Sequence, residues 1–489
     1  MLLLGFVSVM AMRLIMVFTM GLMPQDAYYY FYSTRPALSY FDHPPGVAIH
    51  LWLFTKILGT HPWSLKLANF IVMCGTLAAY YYLARRFLST SRSLWALCIF
   101  GATLVFTDVC IVTTPDVPLL LFWMLALIAI HHALDSRQIL PWILAGLLSG
   151  LAFDAKYTAF YLPVALAALI YVSRKSHGHQ IRFYPGYLIG FLIAVSPVII
   201  WNAQHDMTSI QFQTGERFSA ILEFKFRPQY FAGTLGHLLL MLLPVLGVAL
   251  IRIGWKYTRR IVAGHLPNRD TVFLLMFGLP MIAGFVLISW VYWVKINWML
   301  PAYITMSILL IRYLSTRHLY WQQIAAVVAN ALLLIQIVFY PVPVQSDDTY
   351  WGWDQLSSEV RALHTQFPDH FLFASDGYKT TAVLNFFLDT KVYAGNVIGK
   401  RALQYSIADR DLTQLEGHSA LFFDSQNVMS RFDEAYVPPP ELAIYFSGVR
   451  VLGEIVLHDK FDRVLRKFAV VECTNYHQGA NIQQVLKPQ

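Results

Sequence analysis

Six short polar clusters interrupt an apolar chain, and each holds side chains able to do chemistry. PQDAYYYFY places Asp26 directly after an apolar run. A carboxylate at such a boundary suits general-base work; it equally suits an ordinary helix cap. YFDHPPG sets Asp42 and His43 ahead of two prolines, which stop a helix and fix the direction of the chain. That pair is suited to a metal, a sugar or a phosphate, or is a rigid turn and nothing more. TTPDVPLLLFW opens on Asp116 between prolines, where an acid also works as a cap. AFDAKYTAF offers Lys156, whose ammonium fits a lipid phosphate or snorkels to a headgroup layer. WNAQHDMTSIQFQTGERF gathers Asn202, His205, Asp206, Gln211, Gln213, Glu216 and Arg217, a density of polar groups that suits carbohydrate or phosphate. WVKINWMLPAY adds Lys295, Asn297 and Trp298. No Walker loop, dinucleotide glycine fingerprint or His-Glu-x-x-His is present.

The elements that position these clusters must be membrane helices. Of the 489 residues, 57% are hydrophobic and only 13% charged, against about 25% charged in a soluble domain. The net charge of +8 does not indicate a nucleic-acid partner, because the basic residues fall in short loops, as topology signals do. Apolar windows predict about eleven crossings, near 1–23, 62–84, 93–113, 115–134, 139–153, 157–173, 183–201, 229–251, 271–294, 298–313 and 319–343. Residues 139–173 are too long for one crossing, and Asp154 and Lys156 mark the tip of a hairpin there. The first run has no cleavage site and reads as a retained helix. Arg13 lies within it and calls for a partner, a carboxylate or a lipid phosphate.

With the N-terminus in the cytoplasm, fourteen Lys and Arg fall in inner loops and eight, Lys66 among them, in outer loops before the tail. Eight of the ten acids in residues 1–344 then fall on the outer side. Loop solvation is the plain explanation, but several of these acids stand at span ends. A polar site at the outer face accounts for them. The first outer loop, 24–61, is rich in aromatic residues and is expected to lie on the membrane as interfacial helices. Residues 345–489 hold 18 of the 28 acids and read as a small α/β soluble domain on the same side. HFLFASD, ALFFDS, GVRVLGEIVL and KFAVVEC are expected as strands, YKTTAVLNFFL as a helix. The four cysteines show neither metal spacing nor a disulfide framework.

Taken in order, DAYYY, YFDHPP, TPDVPLLLFW, AKYTA, WNAQHD with SIQFQ, and KINWMLPAY resemble the bacterial polyprenyl-phosphate-sugar-dependent glycosyltransferases of the GT-C superfamily, with the protein O-mannosyltransferases and the aminoarabinose transferases of lipid A. The resemblance covers roughly residues 1–310. It implies inverting transfer of a sugar from a polyprenyl phosphate to lipid A, another glycan or a protein, at the outer face of a bacterial inner membrane. Asp26 is then the expected base, with Asp42 and Asp116 as rivals. Lys156, His43, Arg217 and Lys295 are expected on the donor phosphate, and Tyr29, Asn202, His205 and Asn297 on substrate. No cofactor is required; a divalent cation is compatible, with Asp42 and His205 as its ligands. A monomer is expected. The chain departs from the family in having Gln25-Asp26 where Asp-Glu is common, which leaves open which carboxylate is the base. The competing function is a transporter or flippase of a lipid-linked sugar, for which internal repeats and midplane charges are the signature.

Overall fold

The computed structural model describes residues 2–174, 178–216, 221–222, 224–295, 297–426 and 436–478. It is a helical bundle with a small mixed sheet at one end. In chain order the bundle contains α1 (Leu2–Thr19), α2 (Pro24–Ser33), α3 (Gly46–Leu58), α4 (Pro62–Ala84), α5 (Thr90–Gly101), α6 (Leu104–Ile111), α7 (Asp116–Asp135), α8 (Ile139–Ala155), α9 (Tyr161–Val172), α10 (Tyr184–Gln204), α11 (Pro228–Leu242), α12 (Pro244–Val262), α13 (Arg269–Met276), α14 (Leu279–Ile288), α15 (Leu300–Tyr313) and α16 (Thr316–Phe339). Proline occupies the first turn of α2, α4, α11, α12, α14 and α15, where its missing N–H has no partner to lose.

Among the described residues six helical stretches are long and apolar enough to span a membrane, or seven if the bent pair α5 and α6 counts as one. The expected count of about eleven is therefore not reached by length and composition. The expected span 93–113 is bent by 57° between α5 and α6. The expected span 229–251 divides at Leu243, whose φ of 67° is left-handed, ahead of Pro244. The hairpin 139–173 forms as α8 and α9 around Lys156, each shorter than a full crossing. Helix α8 packs tightly on α10: a Cβ on Gly190 would stand 2.0 Å from the Ile143 carbonyl oxygen, so only glycine permits this approach.

Arg13 is fully buried, and its partners differ from those expected. Nε donates to Thr107 Oγ1 at 3.0 Å and Nη2 to the Thr103 carbonyl at 2.9 Å, while Thr107 in turn donates to Asn330. A threonine hydroxyl of α6 and the carbonyl of the residue that precedes that helix serve the guanidinium in place of an acid.

The C-terminal domain carries α17 (Trp353–Gln366), β1 (Phe371–Ala374), α18 (Lys379–Phe387), β2 (Val392–Tyr393), β3 (Ala420–Gln426), β4 (Phe446–His458) and β5 (Val464–Tyr476). The five strands are ordered β2-β1-β3-β5-β4, with β1 parallel to β2 and β3 and the β3–β5 and β5–β4 pairs antiparallel. All four expected strands and the expected helix are present. Apolar side chains of this sheet share a core with the loop helices α2 and α3, so bundle and domain meet through the first loop.

Candidate active site

The polar clusters converge on one end of the bundle because each follows or precedes a helix that ends there. Helices α1, α6, α8 and α10 run toward this end, and α4, α7 and α15 start from it. There a cavity of about 700 Å³ is lined by Gln25, Tyr29, His43, Lys156, Lys295 and Asn297, with Thr114, Tyr157, Gln213 and Tyr378. Phe285, Ile288, Tyr292, Trp298 and Ile221 give it an apolar flank. Two lysines and a histidine face it, and no carboxylate lines it among the described residues.

Asp26 is not on that wall. It is fully buried; Oδ2 pairs with Lys66 Nζ at 2.6 Å and accepts from Met23 N at 2.9 Å, and Oδ1 accepts from Thr113 N at 2.7 Å. Lys66 also donates to the Ile111 carbonyl at 2.7 Å. The carboxylate ties the start of α2 to α4 and to the end of α6, and its oxygens are taken up in doing so. The expected base is thus held by the frame and is not among the residues that line the cavity. Reading Lys66 as an outer-loop charge missed this: a lysine in the first turns of an apolar helix demands a carboxylate partner.

Asp116 is likewise buried, paired with Lys156 Nζ at 2.8 and 3.0 Å, and accepts from Asn297 Nδ2 at 2.6 Å. It holds in place two groups that reach the cavity, Lys156 and Asn297, and does not itself line it.

Asp42 and His43 sit at the cavity, His43 on its wall and Asp42 behind it with Oδ2 4.0 Å from His43 Nε2. Tyr28 donates to Asp42 Oδ1 at 2.8 Å, and Tyr32 donates to the same oxygen. Burial first, and the Asp42 charge second, push both phenols well above their usual range, which keeps them protonated and donating. Gln213 donates to the Asp42 carbonyl at 2.7 Å, and the Tyr29 ring packs edge-on to His43.

The proline corner has a second requirement. A Cβ on Gly46 would stand 2.7 Å from Ala155 Cα and 2.8 Å from the Asp154 carbonyl oxygen. The glycine after Pro45 therefore lets the loop bearing His43 lie directly on the end of α8, one residue from Lys156.

The remaining expected residues divide. Tyr29, Lys295 and Asn297 reach the cavity. Asn202 is buried and ties its own loop, donating to the Val198 carbonyl at 2.9 Å and accepting from Ile210 N at 3.2 Å. His205 stacks on Trp201 at 4.1 Å and is not among the residues that line the cavity. Among the described residues no group of three or more His, Cys, Asp and Glu is arranged to hold a metal ion, and the Asp42–His43 pair alone is a poor fit for one. Arg217 lies outside the described residues.

Two groups were missed from the sequence. Tyr378 closes the cavity from the C-terminal domain, presented by the turn after β1 in which Gly377 has φ 85°. Its ring lies 4.4 Å from that of Tyr28, the donor to Asp42. Gln25 lines the cavity and donates to Asp348 at 3.0 Å, which Lys379 neutralises at 2.8 Å. Neither is legible in a sequence, because both depend on how the domain docks.

A bundle with broken helices, a polar cavity at one end and a sheet domain closing it is the architecture of a multi-pass membrane protein whose fold is known from solved structures. Over the whole chain the fold matches that of ArnT from Cupriavidus metallidurans, in the apo state (TM-score 0.62, 14% identity) and bound to undecaprenyl phosphate (TM-score 0.63, 15% identity), with 99% of that chain covered in each. The Archaeoglobus fulgidus oligosaccharyltransferase in complex with Zn and sulfate is similar at a TM-score of 0.51 and 12% identity, over 95% of this chain and 72% of that one. In sequence, residues 42–201 match the family model of the dolichyl-phosphate-mannose-protein mannosyltransferases. Lipid A galacturonosyltransferase RgtD of Rhizobium johnstonii is 24% identical over 362 residues, 70% of this chain and 72% of that protein.

Proposed function

We propose that this chain transfers a sugar from a polyprenyl-phosphate donor to a lipid A-type or other envelope acceptor, with inversion at the anomeric carbon. The observation that carries the proposal is the cavity wall: Lys156, Lys295 and His43 beside a flank of Phe285, Ile288, Tyr292 and Trp298. Cationic groups next to an apolar flank suit a phosphate attached to a long isoprenoid. The RgtD relative and the undecaprenyl phosphate bound to the similarly folded ArnT support the same reading.

The acceptor hydroxyl oxygen bonds to the anomeric carbon as the bond from that carbon to phosphate oxygen breaks. The hydroxyl proton passes to His43, and the Asp42 carboxylate, 4.0 Å from Nε2, offsets the positive charge that forms on the imidazole. The electron pair leaves on polyprenyl phosphate, whose added charge Lys156 and Lys295 offset. Asp26 and Asp116 set the frame. The sugar is proposed as a hexose in preference to a pentose, in line with RgtD. The cavity is proposed to face the periplasm from the inner membrane, in line with the positive-inside charge bias. A monomer suffices, since the chain's own Tyr378 closes the site.

The test is transfer from a labelled polyprenyl-phosphate sugar by the full chain in liposomes. His43→Gln should lower kcat about 100-fold or more, the scale of a lost general base. Lys295→Ala should raise the donor KM with a smaller effect on kcat. Translocation of the donor with no covalent product would establish the flippase reading in its place.

A further inference from the structure

A second groove lies at the opposite end of the bundle. Helix α15 starts beside the catalytic cavity, after Asn297 and Trp298, and ends at Tyr313. Its 14 residues carry it about 21 Å away. There Tyr313 is hydrogen-bonded to Tyr257 of α12, and Lys256 Nζ lies 5.1 Å from the Tyr313 ring. Around this contact Arg252, Lys256, Arg259, Arg260 and His265, with Trp255 and Ala263, line an open groove of about 610 Å³. Among the described residues no carboxylate lines it, and no ion pair involves its two-turn run of Arg and Lys.

Topology signals need only be basic; they need not converge. Here Arg252, Lys256, Arg259 and Arg260 follow the spacing of one helix face, so like charges are held together at a cost that a bound anion would offset. The adjoining face of α12 is apolar and exposed: Val248, Ile251 and Trp255 are 41%, 46% and 65% accessible. An apolar face leading to a tryptophan and then to basic side chains follows the order of acyl chain, interface and headgroup. The run from Arg252 to Arg260 rises about 12 Å, enough to cross a headgroup layer.

We propose that this groove binds an anionic phospholipid headgroup in the leaflet opposite the catalytic cavity. The occupant is a lipid and not a soluble phosphate, because the basic stripe continues an exposed apolar one. The proposal does not depend on the glycosyltransferase reading.

The test is native mass spectrometry of the full chain in detergent, titrated with phosphatidylglycerol or phosphatidylcholine. Wild type should retain phosphatidylglycerol about tenfold more tightly, and R252Q/K256Q/R259Q/R260Q should lose that preference at an unchanged Tm in phosphatidylcholine. If the quadruple variant does not fold, R252Q/K256Q and R259Q/R260Q should each lose part of the preference. Equal retention of the two lipids by wild type, an undiminished preference in the variants, or displacement of the lipid by millimolar inorganic phosphate would each overturn the proposal.

Discussion

A buried carboxylate persists only where its charge is matched, and Asp26 is matched by Lys66 and two backbone N–H groups. Removing one partner should therefore cost more than removing a surface ion pair. Lys66→Met leaves the buried Asp26 without its ion-pair partner, and a loss of about 3–5 kcal/mol is expected, read as a large fall in Tm or in folded yield. The double variant Asp26→Leu/Lys66→Met should recover much of that loss, an outcome opposite to that of an essential base. His43 differs in kind: it lines the cavity, with Asp42 behind it, so His43→Gln should leave Tm nearly unchanged while transfer falls. A chemical role and a structural role are thus separable by comparing Tm with kcat at two residues that the sequence presents alike, as polar groups in an apolar chain. The motif positions were legible because charges near a bilayer stand out. Which charges face the cavity was not, since Asp26 and Asp116 find their lysines 40 residues away.

At the scale of elements, the first loop is the part that everything else positions. Gly46 seats its proline corner on α8, and Gln404 of the C-terminal domain holds its other side, accepting from Phe41 N at 2.7 Å while its own N–H donates to Tyr28 at 3.2 Å. Gly46→Ala forces a Cβ against backbone atoms, which do not yield as a flexible side chain does. The corner must move away from Lys156, and the expected result is a kcat loss of about 100-fold, as misplacement on the ångström scale produces. Gln404→Ala removes one buried acceptor and should cost about 1–3 kcal/mol, with Gln404→Glu retaining the acceptor and most of the activity. Urea titration with parallel transfer assays checks both. The helix starts were readable from the prolines, and the strands from their apolar runs. The break at Leu243 has a local cause that a hydropathy window passes over, the proline that follows it; the bend between α5 and α6 carries no proline, and tertiary packing decides it.

For the whole molecule, the domain's docking makes one side-chain protonation state a global quantity. Asp376 follows β1 in the turn that presents Tyr378, and accepts from Thr380 N and, at 2.7 Å, Thr380 Oγ1. Burial raises its carboxyl to about 6, with Asp347 adding to the shift and the Thr380 bonds opposing it. In the unfolded chain the same group titrates near 4. Between these values the folded protein holds a proton that the unfolded chain releases, so stability falls as pH rises. The contribution is fully present below about pH 4 and lost once pH passes about 6. The side chain is partly exposed, which limits the effect to about 1 kcal/mol. Asp376→Asn keeps a carbonyl acceptor for Thr380 and carries no charge at any pH. At pH 7.5 this variant should therefore melt about 1 °C above wild type, and at pH 4 the two should melt together. A variant that melted below wild type at pH 7.5 would mean that the ionised carboxylate is what the turn requires. The turn that presents Tyr378 should follow the same titration, since only Gly377 separates Tyr378 from Asp376: hydrogen exchange across 376–380 should be slower at pH 5 than at pH 7.5, after correction for intrinsic rates, in wild type and pH-independent in the variant.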